Sequence, residues 1–203
     1  MKYFIEITLI NNRFISSGKL WSKIYEILHL RLADAKNLRG HTNIGISFPE
    51  YYFDENKNIG ILGSKLRIFA PTNLILEQIN ISKHLKNFSD YVHVSSIHTT
   101  PTDISGYAIY KRKRILGENE MNKKINRLAT HKAKQENISY EEALLGFQHW
   151  SISQTALPNI SIYSSTTKQH LKLYIDKIFM SKPSDSLSFS TYGLSNHSSV
   201  PEF

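Results

Sequence analysis

The residue with the clearest potential for proton transfer is His29, which falls within a predicted amphipathic helix. Apolar residues recur at helical spacing from Leu20 to about Ala33, and Ser16-Ser17-Gly18 precedes them as a plausible start. On a helical wheel His29 lies at the edge of the apolar stripe, so its ring should reach the rim of the domain. An imidazole exchanges protons near neutral pH, although a lone helical histidine is more often structural or simply exposed.

A second candidate feature is a strongly basic segment in the second half of the chain. The pattern predicts a helix from about Glu118 to Lys134, with Lys123 flanking four residues that line one side: Lys124, Arg127, His131 and Lys134. Upstream, an extended stretch carries side chains that could reach base edges: Lys111, Arg112, Lys113 and Arg114. These features fit contacts with a nucleic acid, and they equally fit a solvated helix face and an exposed basic linker.

Composition bounds the class of protein. The chain has 203 residues, 40% of them hydrophobic, and a net charge of +8, which suits a folded protein that binds a polyanion. It has no cysteine, which excludes disulfides, thiolate zinc sites and cysteine nucleophiles and fits a reducing cytosol. The N-terminus lacks the pattern of a signal peptide, and no apolar run reaches membrane-spanning length. We therefore expect a cytoplasmic protein.

Several catalytic motifs are missing from the sequence. There is no carboxylate cluster typical of two-metal nucleases, no His-Glu-x-x-His, no P-loop and no Gly-x-Ser-x-Gly. If RNA is cut, the economical route is attack by a 2′-hydroxyl on the neighbouring phosphate, which needs a base and a positioning group. Base catalysis supplies about 10² to 10⁴-fold. We expect no metal ion and no cofactor.

The first hundred residues predict a β-α-β-β-α-β order. Strands are indicated at 3–10, 44–48, 65–70 and 91–97, the first helix lies at about 20–33, and Thr72 can cap a second helix that extends to Ile79. The polar, Asn-rich stretch between the second and third strands is interpreted as a loop. This order is typical of the ferredoxin-like, RRM-like fold, and we assign it to a domain of residues 1–100.

Residues 99–106 have turn composition, and we place a domain boundary there. The second predicted domain, residues 107–203, contains the basic helix, a short helix opened by Ser139, and strands at 160–163, 171–179 and 187–192. The predicted fold class is α+β, with the ferredoxin-like domain followed by a domain that joins the basic helix to short antiparallel strands.

Five segments, in this order and spacing, carry a resemblance to a known family. They are Ile27-Leu28-His29, Ile44-Gly45-Ile46-Ser47-Phe48-Pro49, Leu62-Gly63-Ser64-Lys65-Leu66-Arg67-Ile68, Ser164-Ser165-Thr166-Thr167-Lys168-Gln169-His170, and Tyr192-Gly193-Leu194-Ser195 with Val200-Pro201. With these segments the chain resembles, over nearly its whole length, the CRISPR repeat-processing endoribonucleases of type I-F systems.

The resemblance implies roles for individual residues. The family's catalytic histidine falls on His29, its ribose-positioning serine on Ser164, and the tyrosine beside the histidine on Tyr192. It implies that Arg112 and Arg114 read bases at the foot of an RNA stem and that the basic helix lies in the groove of the stem. Further RNA contacts are then expected from Lys111, Lys113, Thr166, Thr167 and Leu171, the last in the place of a stacking aromatic residue.

The function implied by the resemblance is cleavage of pre-crRNA at the 3′ base of the repeat hairpin, without metal, leaving a 2′,3′-cyclic phosphate. The protein would stay bound to the mature crRNA and join the other subunits of the type I-F surveillance complex. One alternative is an inactive subunit that caps the hairpin without cutting it. Another is a ferredoxin-like regulator that senses a small molecule or metal and does not depend on RNA.

Overall fold

The computed structural model describes residues 1–36, 40–150, 155–164 and 168–203, except for the side chain of Ser164. The chain forms two compact units, one of residues 1–113 with 156–203 and one of residues 114–155. Among the described residues, no helix combines the length and apolar character that crossing a membrane requires. The fold is mixed α and β with antiparallel sheets.

The larger unit begins with an antiparallel sheet, a separate two-stranded hairpin of β3 and β4, and the helices that lie between strands. In chain order they are β1 (Tyr3–Leu9), α1 (Ser17–Asp34), β2 (Gly45–Ser47), β3 (Tyr52–Asp54), β4 (Ile59–Ile61), β5 (Lys65–Ala70), α2 (Asn73–Ile79), α3 (Ile81–His84), a 3₁₀ helix (Lys86–Phe88), β6 (Val92–Val94) and β7 (His98–Thr99). The sheet has the order β2-β5-β1-β6, and β7 also pairs with β1. The predicted first helix and the first three predicted strands of this half are confirmed, and the fourth, predicted at 91–97, forms only over Val92–Val94.

Alternation of side chains along the strands explains which face of this sheet is buried. In β1, Ile5, Ile7 and Leu9 are buried, and Ile5 pairs with Ile68 of β5. Helix α1 covers the sheet with an apolar stripe of six buried residues: Leu20, Trp21, Ile24, Tyr25, Leu28 and Leu32. Burying such a stripe is the main stabilisation available to an amphipathic helix.

A second antiparallel sheet belongs to the same unit. It consists of β8 (Gly106–Lys113), β9 (Asn159–Ser164), β10 (Gln169–Met180) and β11 (Val200–Glu202), in the order β11-β8-β10-β9. Its buried residues, among them Ile160, Ile162 and Leu173, join the same apolar core as the first sheet. The segment β9 therefore lies beside α1, and the two sheets share one interior.

The smaller unit contains α4 (Glu118–Glu136) and α5 (Tyr140–Leu145). The Ser139 hydroxyl accepts a hydrogen bond from the Glu142 N–H at 3.1 Å, which confirms the predicted start of the short helix. Ala129 of α4 and Ala143 of α5 are buried in this unit, and small residues there allow the two helices to approach closely.

Two predictions of local structure are wrong. Residues 49–64 are not simply a loop, because Tyr52–Asp54 and Ile59–Ile61 pair as an antiparallel hairpin around the Asn-rich turn. The β-branched and aromatic runs on each side of that turn are too short to be recognised as strands from the sequence. Residues 187–192 do not form a strand of a sheet; Phe189 makes one isolated bridge to Thr42. There the Ser195 and Ser198 hydroxyls donate to the Ser188 carbonyl and satisfy it without a strand partner.

Candidate functional site

His29 lies near the C-terminal end of α1, at the edge of the buried stripe. The neighbouring Leu28 is fully buried and Leu30 is exposed, whereas His29 itself is half-buried. The predicted position at the rim of the domain is therefore confirmed. A side chain in this position can be held by the protein on one side and reached by a ligand on the other.

A turn near the C-terminus fixes the protonation pattern of the His29 ring. Nδ1 of His29 lies 2.9 Å from the carbonyl oxygen of Thr191. Because a carbonyl oxygen can only accept a hydrogen bond, Nδ1 carries the proton and donates. In the neutral ring this leaves the lone pair on Nε2, which is the nitrogen that can act as a base.

The side chain of Tyr192 holds the ring of His29 from one face. The two rings are stacked, with centroids 4.1 Å apart and an angle of 6° between their planes. The main chain of Tyr192 is held as well, because the hydroxyl of Tyr25 donates to its carbonyl at 2.7 Å. Complete burial, together with the nearby phenol of Tyr192, raises the pKa of Tyr25 well above its usual range, so this hydroxyl remains a neutral donor.

The turn that presents Thr191 and Tyr192 depends on Gly193. The Gly193 N–H donates to the Ser190 carbonyl at 2.8 Å, and Gly193 has a φ of +69°, which other residues adopt rarely. A Cβ atom at this position would lie 2.6 Å from Cγ2 of Ile46. Backbone conformation and close packing therefore both require glycine beside the stacked pair.

The candidate residue Ser164 ends strand β9, which a single carboxylate ties to α1. Glu26, one turn before His29, accepts a hydrogen bond on Oε1 from the N–H of Tyr163 at 3.0 Å. Its other oxygen, Oε2, pairs with Lys23 at 3.2 Å. The residue before Ser164 is thus attached to the helical turn before His29, which brings the two predicted chain segments together. Thr166, Thr167 and the side chain of Ser164 lie outside the described residues.

Arg112 is exposed on β8, where it pairs with Ile175 of β10. Its guanidinium carbon lies 5.9 Å from the centre of the Tyr192 ring, a distance suited to a cation–π contact. Of the other predicted contacts in this unit, Lys113 is exposed, Leu171 is half-buried opposite Ile162, and Lys111 forms an ion pair with Asp176 at 3.2 Å. His29, Tyr192 and Arg112 therefore form one cluster.

The smaller unit carries the remaining predicted RNA contacts. All of the predicted basic residues there are exposed: Arg114, Lys123, Lys124, Arg127, His131 and Lys134. Within that unit the ammonium of Lys124 lies 5.3 Å from the centre of the Trp150 ring, and Phe147 packs edge-on against the same indole at 5.2 Å. The basic face predicted on the helix is therefore open to a ligand, with one of its cations held by an aromatic ring.

Three contributors to the His29 cluster were missed from the sequence: the Thr191 carbonyl, the Tyr25 hydroxyl and the Glu26 carboxylate. The contacts of Thr191 and Glu26 join positions 162 and 137 residues apart. No local pattern signals such pairs. Within the part of the chain that the structure describes, no three histidine or carboxylate side chains are grouped so that they could hold a metal ion.

Comparison with known proteins supplies the family. A protein named CRISPR-associated endonuclease Cas6/Csy4 from Escherichia coli (strain UTI89 / UPEC) is 25% identical over 204 residues, covering 100% of both chains. A protein of the same name from Pseudomonas aeruginosa (strain UCBPP-PA14) is 25% identical over 203 residues, again with 100% of both chains covered. The family model described as CRISPR-associated protein (Cas_Csy4) matches residues 4–203. This match confirms the resemblance inferred from the five sequence segments, and the chain belongs to the Cas_Csy4 family of CRISPR-associated proteins.

Proposed function

We propose that this protein is an endoribonuclease that binds the repeat hairpin of pre-crRNA and cleaves it at the 3′ base of the stem. The observation that carries the proposal is the His29 ring, whose Nδ1 is committed to Thr191 and whose face is stacked on Tyr192. This arrangement leaves Nε2 as the free base. The names of the two relatives, which describe CRISPR-associated endonucleases, agree with it.

The proposed reaction needs groups of the protein and the RNA, and water as a source of protons. Nε2 of His29 takes the proton from a ribose 2′-hydroxyl, and the 2′-oxygen attacks the adjacent phosphorus. The bond from phosphorus to the 5′-oxygen breaks, and the leaving oxygen takes up a proton from water. The products are a 2′,3′-cyclic phosphate and a 5′-hydroxyl. Ser164 would hold the ribose so that its 2′-oxygen lines up with the phosphorus, and Tyr192 would keep the imidazole in place.

Hairpin binding is assigned to two sets of basic residues. Arg112, beside the Tyr192 ring, would contact the last base pair of the stem, and Arg114 would read the neighbouring one. The exposed face of α4 would neutralise phosphates of the stem through Lys124, Arg127, His131 and Lys134. Side-chain access to the narrow groove of an A-form stem is restricted, so contacts at the open end of the stem matter most for recognition.

The proposal includes a division of the chain into a ferredoxin-like domain and an RNA-binding domain. The antiparallel strand order β2-β5-β1-β6, with α1 and α2 between strands, supports a ferredoxin-like arrangement of residues 1–100. We propose that this segment supplies the catalytic histidine and that residues 107–203 supply most RNA contacts. We also propose that the protein is cytoplasmic, that it retains the mature crRNA, and that it assembles with other subunits of a type I-F surveillance complex.

The decisive experiment is single-turnover cleavage of a labelled repeat hairpin by the full chain. We expect cleavage in excess EDTA, products ending in a 2′,3′-cyclic phosphate, and no cleavage when the ribose before the scissile phosphate is 2′-deoxy. A 2′-deoxy substitution one nucleotide further into the stem is the matched control and should be cut normally. Loss of activity in EDTA would overturn the metal-free mechanism. Tight binding with no cleavage of any substrate would instead identify a hairpin-capping subunit.

A further inference from the structure

An apolar groove of about 370 Å³ lies along the first half of α1 in the larger unit. Leu20 of α1 and the half-buried rings of Phe88 and Tyr91 contribute apolar lining, and Ser161 and His170 from β9 and β10 close the other side. The His170 ring lies 5.1 Å from that of Tyr163, which is 44% exposed. We call this feature the flank groove. Aromatic rings around an apolar cleft suit the stacking or insertion of a nucleobase.

The flank groove continues the His29 cluster along both elements that border it. On α1 the groove residues Ser22 and Glu26 lie on the same side of the helix as His29, at spacings of seven and three residues. Lys19 lies ten residues before His29, about 15 Å along the helix axis. On β9, Ser161 precedes the candidate Ser164 by three residues. A strand leaving the His29 cluster along these two elements would enter the groove.

Charge at the groove favours an anionic occupant. Lys19 and Lys23 are exposed at its rim, and Glu26 is the one carboxylate among its lining residues. That carboxylate is engaged by the Tyr163 N–H and by Lys23. Two cations against one carboxylate leave a positive rim around an apolar floor, which is the arrangement that single-stranded nucleic acids require.

The sheet order separates the groove from the proposed stem contacts. The groove is lined by Ser161 of β9, at the sheet edge, and by His170 near the start of β10. Arg112 lies on β8 on the other side of β10, where it pairs with Ile175, five residues after His170. A double-stranded stem is also far too wide for a cleft of about 370 Å³. RNA that enters the groove must therefore be single-stranded. The RNA immediately after the scissile phosphate, at the 3′ base of the stem, is unpaired and meets this requirement.

We propose that the flank groove binds the single-stranded nucleotides immediately 3′ of the cleavage site, with a base against Phe88 and Tyr91 and phosphates at Lys19 and Lys23. This proposal rests on the proposed function. It makes the leaving strand a recognised part of the substrate, so that binding of the flank helps to fix the scissile phosphate next to Nε2 of His29.

The test compares two hairpins that cannot be cut because the ribose before the scissile phosphate is 2′-deoxy. One ends a single nucleotide after that phosphate and the other continues with unpaired nucleotides. We expect wild-type protein to bind the longer RNA about tenfold more tightly. The longer RNA should also show a salt slope steeper by about 1.4, which corresponds to two phosphates of a single strand. An abasic flank should lose part of the gain, because it offers no base to the apolar floor.

The variant Lys19→Ala/Lys23→Ala should remove most of the gain, together with the steeper salt slope, and leave affinity for the short hairpin unchanged. The control Lys57→Ala/Lys182→Ala removes the same charge at the β3–β4 turn and beyond the far end of β10, and it should keep the gain. If the short hairpin binds and its cleavable form is cut, but the flank adds nothing, the groove proposal alone is overturned, and the groove would then suit a protein segment. If the short hairpin is neither bound nor cut, the proposed function itself fails.

Discussion

The His29 cluster and the basic face of α4 show two different ways to build a functional surface. The ring of His29 is held by a backbone carbonyl and a stacked tyrosine, and both belong to one glycine-dependent turn that is distant from His29 in the sequence. The basic face of α4 is produced by one helix, and its charged side chains are exposed. The fold therefore fixes the position of the His29 ring, whereas on α4 it fixes only the density of positive charge.

The difference teaches how catalysis and affinity can be separated in this fold. A proton transfer depends on the placement of one nitrogen to within a fraction of an ångström, which long-range packing provides. Attraction of a phosphate backbone depends on the number of cations and tolerates mobile side chains. Substitutions in the two regions should therefore change different measured quantities.

The largest expected effect is on the cleavage rate of His29→Ala. Removing the proposed base should lower the single-turnover rate constant by about 10² to 10⁴-fold. The dissociation constant for an uncleavable hairpin should stay within about twofold, because the ring contributes no phosphate charge. Both quantities are measured on the same RNA, with filter binding beside the cleavage assay. Retention of more than a tenth of the wild-type rate would remove His29 from the mechanism.

The second effect should appear in affinity alone. Arg127→Ala/Lys134→Ala removes two exposed cations from α4 and keeps good helix formers. We expect the dissociation constant for the hairpin to rise about tenfold and the salt slope to fall by about 1.8, which is the value for two phosphates of a duplex. The rate constant at saturating protein should not change. A changed rate with unchanged affinity would contradict the separation of the two regions, and Lys57→Ala/Lys182→Ala again controls for net charge.

A third expected effect, no larger than the second, tests how the reacting groups of the larger unit are held in position. Glu26→Ala removes the acceptor that ties β9 to α1, so the cleavage rate should fall about tenfold through misplacement of the reacting groups. Affinity for a hairpin without a 3′ flank should be unchanged. Glu26→Gln keeps an acceptor oxygen and should restore most of the rate, which loss of charge alone would not explain.

A control for Glu26→Ala is Glu77→Ala, which removes an exposed carboxylate from α2. The melting temperature of each variant distinguishes a local effect from general destabilisation. If Glu26→Gln were as slow as Glu26→Ala at an unchanged melting temperature, the positioning role of the hydrogen bond would be wrong.

Helices and strands could be predicted where the spacing of apolar residues repeated over a long enough segment. The stripe from Leu20 to Leu32 spans several turns, and α1 was found with nearly the correct bounds. Strand β5 was predicted as Lys65–Ala70 and forms over those residues. The three-residue strands β3 and β4 offer one alternation each, which is too little to distinguish them from a loop.

Individual residues of the candidate site could be predicted from the sequence, but the contacts that hold them could not. The sequence placed His29 at the edge of its helix, and the resemblance assigned Tyr192 and Arg112. The partners that fix the geometry are a carbonyl and a carboxylate distant in sequence, and a carbonyl has no residue type by which a pattern can reveal it. The wrong strand at 187–192 has the same cause, since serine hydroxyls there satisfy backbone groups through tertiary contacts.

The hydrogen bond from His29 to Thr191 has a consequence for how the proposed enzyme completes its cycle. With one ring nitrogen occupied inside the protein, the imidazole exchanges protons with its surroundings at a single atom. The proton gained during cleavage must leave by the route through which it arrived. Cut RNA that stays bound over Nε2 would therefore keep this nitrogen from acting as a base a second time.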